Sequence, residues 1–130
     1  MRLFSIRHEF PTEWAKFKSA KLGPTTPPAE LTLNLRAEHY PFWSKERLES
    51  VKRLDLFAKA EKTMTVFGRL NATGQPDDAT KTELAAKVGN LRTGKVELNK
   101  VSFAKPTGEL NLHFTDNSMD DLWLALAWGK

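Results

Sequence analysis

The chain has 130 residues, 40% of them hydrophobic and 28% charged, with 20 Lys and Arg against 16 Asp and Glu. That length suits one domain, burying about two-thirds of the surface its unfolded chain would expose, and the composition excludes a wholly disordered chain. Cysteine is absent, which excludes disulfides, thiolate chemistry and cysteine-based zinc ribbons or fingers.

The dominant period along the chain is two, the signature of half-buried strands. "RLFSIRH" sets Leu3 against Phe4 and Ile6. "PTEWAKFK" follows, with Pro11 at a helix-start position, Glu13 close behind, and Trp14 and Phe17 three apart; a turn or two of helix is predicted. "LGPTTPP" is a loop within the domain. In "ELTLNLRA", Leu31, Leu33 and Leu35 point one way and Thr32, Asn34 and Arg36 the other. "VKRLDLFAK" places Leu54, Leu56 and Ala58 on one face, with Arg53, Asp55 and Phe57 opposite, and "KTMTVFGRL" does the same with Met64 and Val66. "NATGQPDD" is turn-rich. "DDATKTELAAKVGN" carries acids first, Leu84 and Val88 four apart and Gly89 as a stop, and reads as a short helix or an irregular connection. "GKVELNKVSFA", "GELNLHF" and "DDLWLALAW" are the remaining strands, separated by the turn segments "KPTG" and "TDNS".

The last segment raises a question of its own. Seven apolar residues, Leu122 to Trp128, include two of the four tryptophans. As a frayed end such a run would be a liability. Read as a strand, Leu122, Leu124, Leu126 and Trp128 face the core, and Trp123, Ala125 and Ala127 face outward. Outer faces of two-sheet sandwiches are usually polar, so this one calls for a cover, either the helix near Trp14 or another chain. About seven short strands with few helices define an all-β fold: an antiparallel β-sandwich of seven or eight strands with one or two short helical connections. Residues 1–130 form a single module.

Little in the sequence points to catalysis. His8, His39 and His113 show no metalloprotease spacing, and His8 and His113 are predicted at the surface. The acidic pairs Asp77/Asp78 and Asp120/Asp121 are tandem, whereas acid–base work needs carboxylates on opposite sides of a substrate. The first pair is predicted to cap a helix and the second to mark a strand start. No glycine-rich phosphate loop or nucleophile elbow occurs. No catalytic residue, metal ligand or cofactor is therefore assigned. The formal charge of +4 comes from scattered basic residues, short of the clustering expected of a nucleic-acid binder. No apolar run approaches the roughly 20 residues of a membrane span, and "MRLFSIRHEF" is not a secretory signal.

The aromatic segments "FPTEW" and "EHYPFW" are more informative. If exposed, Trp14, Tyr40 and Trp43 would form a platform for sugar rings or an anchor for a protein. If not, these loops plug the open end of the sandwich.

The order "FSIRHEFPTEWAKF", "LTLNLRAEHYPFW", "RLESVKRLDLFAKA" and "FTDNSMDDLWLALAWGK" resembles the C-terminal β-sandwich region of Tc-type insecticidal toxin A components and similar large bacterial toxin-like proteins. Asn71 to Asn99 has no counterpart in that pattern. The A components are pentameric translocation devices whose C-terminal β-rich domain docks the B component, while other β-sandwich modules of the family are similar to receptor- or glycan-binding domains. The resemblance thus implies a non-catalytic module, in a secreted toxin-like complex, whose partner is a protein or another domain. The pore-forming helical region of that family is missing from these 130 residues, which fits an excised domain or a small free-standing relative. The expected function is protein–protein assembly, with Trp123 on the contact face. The alternative is a carbohydrate- or receptor-binding module that uses Trp14, Tyr40 and Trp43.

Overall fold

The computed structural model describes residues 2–20, 29–41, 48–60, 62–101, 103 and 106–129. In chain order the regular elements are β1 (Arg2–Ser5), α1 (Ile6–Glu9), α2 (Pro11–Ser19), β2 (Ala29–Leu35), β3 (Ser50–Lys59), β4 (Met64–Phe67), β5 (Lys81–Leu84), β6 (Ala86–Val88), β7 (Leu91–Lys95), β8 (Gly108–Phe114) and β9 (Asp121–Gly129). The nine strands form two antiparallel sheets, one ordered β1-β9-β3-β7-β6 and the other β2-β8-β4-β5. The architecture is an all-β sandwich, as the period-two pattern predicts.

The same alternation builds the core. From the four-stranded sheet, Leu31, Leu33, Leu35, Leu110, Leu112 and Phe114 point inward. Leu54, Leu56, Ala58, Leu122, Leu124 and Leu126 meet them from the five-stranded sheet, and all twelve are at most 2% exposed. Each large side chain so buried contributes roughly 1.5–3 kcal/mol relative to exposure. β9 lies between β1 and β3 and is paired along both edges. The apolar segment that would be a liability as a free end is a central strand.

The helices seal one end of the sandwich. Pro11 starts α2, where its missing N–H costs nothing, and the helix packs against α1 and β2. Phe17 is fully buried and meets Phe114 edge-on at 5.1 Å. The carbonyls left over at the end of α2 are taken up by a distant segment. Asn117 Nδ2 donates to Phe17 O and Ala20 O, both at 2.9 Å, and Lys18 Nζ returns bonds to Asn117 O at 2.6 Å and Met119 O at 2.8 Å.

Two stretches differ from the sequence reading. Residues 78–88 hold a 3-10 turn and two strands where a helix or irregular connection was predicted. Thr82 and Leu84 are buried while Lys81 and Glu83 are exposed, which is strand alternation. Gly89 does not stop a helix. Its φ of 60° places it in the two-residue β6–β7 loop closed by the pair Val88 and Leu91, where glycine is favoured. "GKVELNKVSFA" does not continue as a strand after Lys95. Val96 donates its N–H to Leu54 O at 2.8 Å, and a 3-10 turn at Leu98–Lys100 follows. This stretch passes so close to Gly68 that a Cβ there would sit 1.8 Å from Lys100 O. Val96, Val101 and Phe103 are buried from this irregular stretch.

Candidate functional site

Trp14 and Tyr40 belong to the core. Trp14 is 8% exposed and packs on Phe17 at 5.6 Å. Tyr40 is 4% exposed; its ring meets Phe4 at 5.7 Å and Trp128 at 4.9 Å, both edge-on. Its hydroxyl donates to Pro106 O, and burial raises its pKa. These two rings therefore plug the end of the sandwich and present no face to a sugar. The apolar bodies of both rings are buried, Lys18 Nζ lies over the indole face of Trp14 at 5.9 Å, and the Tyr40 hydroxyl has a carbonyl to accept its proton. Trp43 lies outside the described residues.

His113 corrects a second expectation. It is 6% exposed, not a surface residue. It sits on the outer face of β8, directly across from Glu30 of β2 and Phe67 of β4, and Phe67 is itself buried. Burial holds its pKa below the ordinary histidine value, with Glu30, 3.8 Å away, pulling the other way.

Trp123 is where the sequence pattern puts it. Leu122, Leu124 and Leu126 turn inward, and Trp128 joins them against Tyr40. Trp123, Ala125 and Ala127 turn outward. Trp123 and Ala127 are partly exposed, and Ala125 is 7% exposed. The register supplies neighbours the sequence does not reveal. Ser5 and Phe57 flank Trp123, and Leu3 and Asp55 flank Ala125. Beyond Phe57 the same face continues through Thr93 to Ala86, and one row on through Leu91 to Val88. Leu3 is 57% exposed and Val88 56%. Charge appears as Arg53, which binds Asp55 through Nε to Oδ2 at 2.7 Å, as Lys95 opposite Asp55, and as Lys59 opposite Asp121.

The other sheet is different. Its outer positions are Glu30, Thr32, Asn34, Glu83, Lys81, Thr65, Glu109 and Asn111, with Thr32 Oγ1 2.7 Å from Asn111 Oδ1 across β2 and β8. Phe67 and His113 are the exceptions there, and both are buried. The helix expected as a cover for Trp123 is engaged with β2, the edge strand of this second sheet. Phe57 could be found from the sequence, since it alternates with Leu56 and Ala58. Leu3, Leu91 and Val88 could not, because only the strand order places them on the same face as Trp123.

The acidic pairs have structural tasks. Asp77 accepts from Ala79 N at 3.1 Å and caps the 3-10 turn. Asp121 opens β9 and accepts from Leu122 N at 2.9 Å. Among the described residues no group of three or more His, Cys, Asp or Glu is arranged to hold a metal ion, and no helix is long and apolar enough to cross a membrane. Comparison with protein-family models, with curated proteins and with solved structures found no match.

Proposed function

We propose that this domain is a non-enzymatic assembly module that docks another polypeptide on the outer face of the five-stranded sheet. The observation that carries the reading is the asymmetry between the two outer faces. One is polar apart from two buried residues. The other lines up Leu3, Trp123, Ala125, Ala127, Phe57, Leu91 and Val88 in adjacent rows. A partly exposed tryptophan on an apolar face is the kind of aromatic anchor on which protein contacts centre, and the Arg53–Asp55 pair and Lys95 add polar groups to the same face. The resemblance to toxin A components supplies the context: the partner is a subunit or neighbouring domain of a toxin-like complex. The glycan-binding alternative rests on Trp14, Tyr40 and Trp43, and with the first two rings buried no observation favours it as a second reading.

With no other partner supplied, an apolar face meets its own copy most readily, because a two-fold contact uses the same patch twice. Light scattering over a concentration series is expected to show association that Trp123→Ser removes, with the circular dichroism spectrum unchanged. A domain that stays monomeric at every concentration, with or without Trp123→Ser, overturns the proposal.

A further inference from the structure

One histidine holds a hydrogen bond that only its neutral form can make. His39 ends the 3-10 turn Ala37–His39, which follows β2 and leads into Tyr40. His39 N–H donates to Arg36 O at 3.0 Å, and Tyr40 N–H donates to Ala37 O at 3.1 Å. A third bond uses the side chain: Arg36 N–H donates to His39 Nδ1 at 2.8 Å. An imidazole nitrogen accepts only when it carries no proton, and both nitrogens of an imidazolium are donors. The ring that closes this turn is therefore neutral, with its proton on Nε2. Protonation at Nδ1 removes the acceptor outright and sets two N–H groups against each other.

The position of the ring gives this bond a consequence. His39 is half-buried and lies on the aromatic plug, 5.2 Å from the Phe10 ring and edge-on to Phe4 at 6.1 Å. The turn it closes sets the entry of Tyr40, whose ring packs on Phe4 and Trp128 and whose hydroxyl donates to Pro106 O. The charged ring has an alternative partner. Glu9 of α1 accepts from Ser5 N–H at 2.7 Å and pairs with Arg2. Burial works to raise the Glu9 pKa, but Arg2 and the Ser5 N–H outweigh it, and a positive charge on His39 acts in their direction. The carboxylate thus attracts the imidazolium. Arg2, over the Phe4 ring at 4.0 Å, is the opposing cation at this end. Arg7 and His8 on α1 are exposed, as are Arg36 and Glu38 on the turn.

We infer that His39 is a proton-operated latch on the turn before Tyr40: the neutral ring closes the turn, and the protonated ring releases Arg36 N–H and turns toward Glu9. Arg36 is exposed, so water takes up the freed N–H and the release is reversible. The latch does not depend on the assembly reading, since none of these groups is on the docking face.

Nuclear magnetic resonance of the isotope-labelled chain tests it. Near pH 8, long-range nitrogen–proton correlations of His39 are expected to place the proton on Nε2. Between about pH 8 and 5, the range in which histidines titrate, the Arg36 amide proton should move upfield with the same midpoint as the His39 Cε1 proton. Protection of the Tyr40 N–H against hydrogen exchange, corrected for the intrinsic rate, should fall roughly fivefold, the effect of losing one neutral hydrogen bond. His39→Asn puts an oxygen that does not titrate in the place of Nδ1. In that variant the Arg36 shift and the Tyr40 protection are expected to hold across the whole range. His113 is still present there, so a change arising from it would persist. A proton on Nδ1 near pH 8, an Arg36 amide indifferent to the His39 titration, unchanged Tyr40 protection, or equal pH dependence in the wild type and His39→Asn overturns the inference.

Discussion

His113 shows how one residue can be placed correctly on a face and still be misjudged. Alternation with Leu112 and Phe114 puts it on the outer side of β8, and there it is buried beside Phe67. Burial disfavours the imidazolium, so the folded chain holds a proton less readily than the unfolded chain, whose histidine titrates near roughly 6.5. The associated stability is therefore complete above the unfolded value. It is lost as pH falls through the lower, folded value. Urea unfolding at pH 7, 6 and 5 is expected to show a midpoint that falls more steeply in the wild type than in His113→Gln. Parallel pH profiles would refute the assignment. Trp14 and Tyr40 teach the complementary lesson. Their positions beside prolines were legible, but their burial depended on Phe4, Phe17 and Trp128 arriving from other elements.

At the scale of elements, α2 was legible because Pro11, Glu13, Trp14 and Phe17 agree on one local structure. What anchors it was not. Asn117, in a segment that reads only as a turn, caps the carbonyls of Phe17 and Ala20. Asn117→Ala removes the donor to Ala20 O and one of the two donors to Phe17 O, which keeps the Ala20 N–H, a loss of about 1–3 kcal/mol. Thermal denaturation should show that loss, and an unchanged melting temperature would mean that water replaces the side chain. The strands at 81–88 were missed for a different reason. "KTEL" and "AKV" are too short to display a period. The glycine between β6 and β7 serves equally as a helix stop or a hairpin loop until the partner strand is known.

Across the whole molecule, the two faces of β9 divide the chain's physical tasks. Leu124 is fully buried between the sheets, and Leu124→Ala is expected to cost about 2–5 kcal/mol in chemical denaturation. Trp123→Ser, one position away, removes a partly exposed ring and should cost much less in the isolated domain while abolishing association. Similar losses for the two substitutions would mean that the outer face is needed for folding, not docking. The sequence by itself determined the strand faces, the short helix and the all-β class, because a period of two and a capped helical turn are local properties of neighbouring residues. The tertiary structure decided the strand order β1-β9-β3-β7-β6, and with it the apolar outer face. It also decided the burial of His113. These depend on contacts between residues far apart in the chain, and no local period records which distant strand will lie alongside.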